Sequence, residues 1–210
     1  MKFEYFKSII AKLKENPIGG LDAQFKLAPK LRLKYSKEKI EVLNPKKAAV
    51  VALFYPNNNG KVCFLLILRA DYNGTHSAQI SFPGGKFEEN DTSLKNTALR
   101  ETFEEVGVAI DATSIFKQMT DVFISPSNFL VTPFLGYIEH VPKFIKNYEV
   151  EELIDVSIKD LLDDTSVSTT TLSTSDAKDI EVPCFVLNNY VVWGATAMML
   201  NEIKELLKNI

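Results

Sequence analysis

Between Arg100 and Gly107 the chain reads Arg-Glu-Thr-Phe-Glu-Glu-Val-Gly. At helical spacing, Glu101, Glu104 and Glu105 share an arc about 100° wide, and Leu99, Phe103 and Val106 fall opposite it as a candidate core stripe. Glu104 and Glu105 stand in the last turn before a glycine that can end the helix. There the helix dipole disfavours anions by a few tenths of a kcal/mol each or more. No lysine lies between Lys95 and Lys117, and Arg100 can pair with only one or two of the three carboxylates. The pattern therefore supports two readings, a solvated acidic face or a site for a hard cation. Mg²⁺ prefers oxygen and is commonly held by a few carboxylates together with substrate phosphates. Unneutralised charge at a helix C-terminus favours the cation.

Other elements must position these groups. Gly84-Gly85 precedes the helix, and glycine lets the backbone turn sharply and approach a ligand closely. Asp91 or Thr92 can cap the helix N-terminus. Upstream, residues 48–55 and 62–69 are β-rich runs around Pro56-Asn57-Asn58-Asn59-Gly60, a hairpin signal, and residues 79–82 form a short strand. Downstream, residues 116–124, 130–139, 151–158 and 181–187 read as strands, with a short helix at 159–163. Residues 166–179 read as a polar loop or exposed hairpin. A helix at 2–15 opens the chain, an irregular arm follows over 16–45, and an amphipathic helix at 193–208 closes it. Strands in the middle with helices at both ends favour α+β, or a mixed sheet between helices, over a regular βαβ repeat.

The stretch from Gly85 to Val108 resembles the signature box of the Nudix hydrolases: glycine, five residues, an acid, then Arg-Glu-U-x-Glu-Glu-x-Gly-U, where U is aliphatic. Gly85, Asp91, Arg100, Glu101, Glu104, Glu105, Gly107 and Val108 match. Aspartate holds the acid position, eight residues instead of seven separate it from Arg100, and Thr102 takes an aliphatic position. Residues 65–85 resemble the additional motif of the coenzyme A pyrophosphatase branch, through Leu65, Leu66, Arg69, His76, Gln79, Phe82, Pro83, Gly84 and Gly85. The longer box also occurs in that branch, and Trp193–Ala197 resembles its closing segment. Gly74 and Ala78 depart from the motif, which usually has arginine and glycine there. The resemblance covers residues 45–205, most of the chain.

The resemblance implies a Nudix-type α/β/α sandwich with a mixed central sheet over 46–210, with the N-terminal helix and arm of 1–45 packed on it. It implies hydrolysis of the pyrophosphate bond of coenzyme A or its thioesters, aided by Mg²⁺ or Mn²⁺. Glu101, Glu104, Glu105 and the Gly84 carbonyl would hold the metal. The candidate general bases are Glu101 and Glu149, the latter from the acidic run Tyr148–Glu152. Arg69, His76 and Gln79 would contact the substrate, while Gly85, Asp91, Arg100 and Gly107 would orient the site. The alternatives are action on ADP-ribose, dinucleotides or nucleoside triphosphates, which Gly74 favours, and a domain that binds a nucleotide without cleaving it. The intact carboxylate set speaks against the last.

Composition narrows the classes. At 210 residues, 46% hydrophobic and 24% charged, the chain suits a single folded domain with a substantial core. No apolar run approaches the ~20 residues that span a bilayer, and charge interrupts the apolar stretches of the N-terminus, so neither a membrane nor an export role is expected. Cys63 and Cys184 sit in strand-like runs and read as buried thiols of a cytoplasmic protein. The net charge is −3, yet residues 1–50 carry 12 Lys and Arg against 5 Asp and Glu. That basic segment is either a solvated face complementing the acidic body or, through Lys30, Arg32 or Lys34, a polyphosphate attractor. It lacks the stripe and interleaved aromatics of a nucleic-acid binder. The expected partner is a small coenzyme A-like nucleotide, and a homodimer is compatible with the sequence.

Overall fold

The computed structural model describes residues 1–29, 37–70, 79–172 and 179–210. Its first half runs α1 (Phe3–Glu15), α2 (Gly20–Phe25), α3 (Lys37–Val42), β1 (Lys46–Pro56), β2 (Val62–Arg69), β3 (Ile80–Ser81), β4 (Gly84–Lys86) and α4 (Leu94–Val106). Next come β5 (Ile115–Gln118), β6 (Val122–Ile124), β7 (Phe129–Tyr137), β8 (Val150–Ser157) and α5 (Ile158–Leu162). The chain ends with β9 (Val167–Leu172), β10 (Ile180–Leu187), β11 (Tyr190–Trp193) and α6 (Gly194–Lys208).

The main sheet is mixed and split. β1 pairs in parallel with β7 along one edge. Its other edge is shared: Phe54–Pro56 pair with β2, and Ala48–Val50 pair with β4. β2 in turn pairs with β3 at Ile67 and Leu68 and with β8 along its opposite edge. So β1 and β2 are joined at their hairpin end and diverge toward the other, and the β3–β4 segment is wedged between them. Pro83 carbonyl accepts the Val51 N–H at 2.9 Å inside that split. The Gly-Gly turn is thereby fixed against the middle of the sheet.

Both faces of the sheet are covered, which explains why β1 and β2 read as continuous apolar runs. Ala52, Phe54, Phe64 and Leu66 face a core shared with Phe6 and Leu13 of α1 and Leu200, Ile203 and Leu206 of α6. Val51, Leu53, Leu65 and Ile67 face the other way, against Ala98 and Val106 of α4. Phe6 and Leu13 are fully buried, and such burial contributes about 1.5–3 kcal/mol per side chain. Helices on both faces of a mixed sheet give the expected α+β sandwich. Strands β9–β11 form a separate antiparallel sheet.

Several local expectations are corrected. The arm over 16–45 contains two short helices, α2 and α3. The single strand expected at 116–124 is two, β5 and β6, broken opposite Pro133 of β7. Proline cannot donate to a ladder, and its carbonyl takes the Met119 N–H between the two strands. Of the two readings of 166–179, the exposed hairpin agrees with the structure: β9 pairs antiparallel with β10, while 173–178 lies outside the described residues. The cap of α4 is Ser93, whose hydroxyl accepts the Asn96 N–H at 3.2 Å. Ser93→Ala should cost about 1 kcal/mol, read as a melting temperature lower by about 2–4 °C; an unchanged melt would mean this cap does not hold the helix.

No helix among the described residues is long and apolar enough to cross a membrane. Cys63 and Cys184 are free and buried.

Candidate active site

Helix α4 turns Glu105 inward, with Glu101 partly covered and Glu104 half exposed. Thr97, Ala98, Thr102, Glu105 and Val106 are buried, whereas Phe103, expected in the core, is 55% exposed. The reason is that the buried carboxylate finds partners inside the fold. Glu105, only 2% exposed, accepts the Gly84 N–H at 2.8 Å on Oε2 and the Arg69 guanidinium at 3.1 Å on Oε1. Burial of an ionised carboxylate is tolerated only with such compensation. Gly107 ends the helix with φ of 69°, and its N–H donates to the Phe103 carbonyl at 2.9 Å.

The two glycines meet different neighbours. Gly84 has φ of 144°, and a Cβ there would lie 2.3 Å from the Ala49 carbonyl oxygen. At Gly85 a Cβ would lie 2.4 Å from the carboxyl carbon of Glu101. Bare backbone at Gly85 is thus what lets the Glu101 carboxylate lie against the turn.

Arg100 organises the outer side. It grips Asp91 with two 2.9 Å bonds, from Nε to Oδ1 and from Nη2 to Oδ2. Its Nη1 donates to Glu101 at 3.1 Å and to Glu104 at 3.2 Å, and Nη2 also reaches the Lys86 carbonyl at 3.2 Å. Asp91 further accepts the Glu88 N–H and the Thr97 hydroxyl. The hydrogen-bonded guanidinium holds Asp91 well below the usual carboxylate range, despite some desolvation. Asp91 therefore anchors Arg100 and does not cap the helix.

Glu149 reaches the cluster from a loop that no local pattern ties to α4. The Asn147 N–H donates to the Glu105 carbonyl at 3.0 Å, and the Ile145 N–H to the Val106 carbonyl at 2.9 Å. Asn147 Oδ1 then accepts the Glu149 N–H at 2.9 Å. Glu149 Oε2 lies 3.9 Å from Arg69 Nη2. Asn147 is the site residue missed from the sequence; its N–H meets Glu105, 42 positions away, and its side chain meets Glu149, a pairing that no local pattern signals. Gln79 sits beside Arg69, its carbonyl accepting the Arg69 N–H at 3.1 Å. His76 and Gly74 lie outside the described residues.

Electrostatics shows an excess of negative charge. Burial pushes Glu105 up to about 7 against the pull of Gly84 and Arg69, with Glu101 and Glu149 adding repulsion. Burial also raises Glu101 against Arg100, with Glu104 and Glu149 acting the same way. Among the described residues no three acidic, His or Cys side chains stand close enough together to hold a metal ion. Glu101 and Glu104 pair with Arg100, and Glu105 pairs with Arg69. The donor set still fits a hard cation: Glu101, Glu104 and Glu105 outnumber the two guanidinium groups, and all donors are oxygen.

Comparison with known proteins agrees with this geometry. The profile of the NUDIX domain matches residues 45–167. Nudix hydrolase 3 of Caenorhabditis elegans is 30% identical over 165 residues, covering 71% of this chain and 68% of that protein. An uncharacterised Nudix hydrolase, NudL, of Yersinia pestis (strain Pestoides F) is 30% identical over 149 residues, covering 67% and 70%. In structure, a MutT/nudix family protein from Enterococcus faecalis superposes with a TM-score of 0.56 at 19% identity, over 83% of this chain and 64% of that one. RenU, a Nudix hydrolase from M. smegmatis, gives 0.51 at 17% identity, over 79% and 88%. The profile spans more than half of the residues, the relatives match most of their own length, and the split sheet brings the box's glycines and glutamates together; the chain belongs to the Nudix hydrolase family and is a pyrophosphohydrolase.

Proposed function

We propose that the protein hydrolyses the pyrophosphate bond of coenzyme A or its thioesters, yielding 3′,5′-ADP and 4′-phosphopantetheine or its acyl form. The observation that carries the pyrophosphatase reading is the set of contacts around the Gly84-Gly85 turn: Glu105 accepts the Gly84 N–H, Glu101 lies against Gly85, Arg100 links Glu101 to Glu104, and Arg69 lies between Glu105 and Glu149. Substrate choice rests on the upstream motif, Leu65 to Gly85, and on the one-residue-longer box.

Nudix hydrolases generally use divalent cations; Mg²⁺ or Mn²⁺ held by Glu101, Glu104, Glu105 and the Gly84 carbonyl would supply Lewis-acid chemistry, offsetting phosphate charge and making a water acidic. The chain's own groups do the rest. Arg100, locked onto Asp91, keeps Glu101 and Glu104 in place. Arg69 stands where a guanidinium can meet phosphate oxygen. Glu149 or Glu101 accepts the proton of the attacking water as general base. Water adds across the P–O–P bridge, one phosphorus gaining the hydroxyl and the departing phosphate the proton, so two phosphomonoesters form. His76 and Gln79 complete the substrate contacts in this proposal.

Gly74, where the coenzyme A motif usually has arginine, favours a second reading: the same chemistry on ADP-ribose, a dinucleotide or a nucleoside triphosphate. A panel of coenzyme A, acyl-coenzyme A, ADP-ribose, NADH and dinucleoside polyphosphates, with Mg²⁺ or Mn²⁺ and chromatographic separation of products, decides between them. Coenzyme A and its thioesters should turn over fastest. Cleavage of ADP-ribose with coenzyme A untouched would replace the first reading by the second.

A further inference from the structure

Resting on the metal-dependent reading above, we propose that Arg69 is a displaceable counter-ion, holding Glu105 when no divalent cation is present and passing to Glu149 when one enters. The two carboxylates lie on either side of one guanidinium. Arg69 Nη1 donates to Glu105 Oε1 at 3.1 Å, and Nη2 is 3.9 Å from Glu149 Oε2. Exposure rises along this path, with the side chains of Glu105, Arg69 and Glu149 at 2%, 19% and 40%.

The two oxygens of Glu105 are served differently. Oε2 is bound by the N–H of Gly84, a backbone group fixed in the split of the sheet. Oε1 is bound by a long side chain at the end of β2, beside a bulge between Leu68 and Arg69. A buried carboxylate needs a compensating partner whether or not a cation is bound. A dication drawing on Oε1 repels the guanidinium at short range, so Arg69 yields and the backbone donor stays. Glu149 is the acceptor because it already faces the other half of the fork and is not itself deeply buried.

Arg100 offers the contrast. Its Nε and Nη2 are both committed to Asp91 at 2.9 Å, with Thr97 and the Glu88 N–H fixing that aspartate. A bidentate pair held in this way resists displacement. Arg100 is therefore held as a strut, whereas Arg69 lies between two carboxylates. Arg69 acts here as a positioning residue that sets cation affinity.

The test is Mn²⁺ binding to the full chain stripped of cations, followed by electron paramagnetic resonance. It compares wild type, Arg69→Met, Glu149→Gln and the double variant. Arg69→Met should bind Mn²⁺ on the order of tenfold more tightly, since no guanidinium has to be displaced. Glu149→Gln should weaken binding in wild type and have much less effect in the Arg69→Met background, where no guanidinium is left to pass to it. If Arg69→Met does not fold, Arg69→Lys replaces it: the charge is kept but not the fork, so the Glu149→Gln effect should shrink there too. Unchanged or weaker binding by Arg69→Met, or an equal Glu149→Gln effect in both backgrounds, overturns the inference. No Mn²⁺ binding to wild type would instead overturn the metal-dependent reading on which it rests.

Discussion

Replacing Glu105 by glutamine should lower turnover of the best substrate by more than about 10²-fold, because even the outer partners of metal ligands are worth 10–100-fold. The fold should survive. Glutamine keeps the length of the side chain and one acceptor oxygen, so one of the bonds from Gly84 and Arg69 remains. The lost bond, made to a charged group, costs about 1.5–3 kcal/mol. Against it stands the removal of a carboxylate that burial has pushed up to about 7. A carboxylate with a raised pKa is a cost to the folded state that grows as pH rises from its unfolded value through 7. The variant without cation should therefore melt close to wild type at pH 8, and compare best with it there. Glu104→Gln should lose activity in the same way, with even less effect on the melt, since Glu104 is half exposed. Wild-type-like turnover in either variant would remove the carboxylate cluster from the mechanism.

The adjacent glycines give the second large effect, and it separates chemistry from folding. Alanine at Gly85 places a methyl group 2.4–2.6 Å from the carboxyl atoms of Glu101. That carboxyl is the free end of a flexible side chain, so it can move aside and the backbone need not. Gly85→Ala should fold with a melting temperature near that of wild type while activity falls about 10²-fold, the penalty for an ångström-scale misplacement of a catalytic group. Alanine at Gly84 meets backbone instead, the Ala49 oxygen at 2.3 Å and the Val50 Cα at 2.6 Å, at φ of 144°. Gly84→Ala should destabilise the split sheet itself and give little folded protein. Equal loss of folding in both variants, read by circular dichroism, would show that Gly85 is structural and does not serve Glu101.

These two sites also show what could be read from the residues alone. Glu101, Glu104, Glu105 and the glycine pair were legible because their chemistry is local: spacing on one helix and one turn sets the cluster. Phe103 misled, because helical periodicity assumes that carboxylates face water. Here Glu105 faces inward, since Gly84 and Arg69, 21 and 36 positions away in sequence, supply its donors. Asp91 looked like a cap for a similar reason; the fork of Arg100 claims it, and Ser93 takes the cap. The parallel pairing of β1 with β7, and the loop that brings Glu149 to Arg69, depend on contacts of long sequence separation. Alternation and turn chemistry find such strands but not their neighbours.

The central claim, cation-dependent cleavage of a coenzyme A-type pyrophosphate at this cluster, is tested most directly by phosphorus magnetic resonance of coenzyme A incubated with the protein, with Mg²⁺ or with chelator. The two diphosphate signals should disappear with Mg²⁺ as two phosphomonoester signals grow in equal amounts, and should persist with chelator. Diphosphate signals that stay intact with Mg²⁺, or vanish equally in chelator, would contradict it.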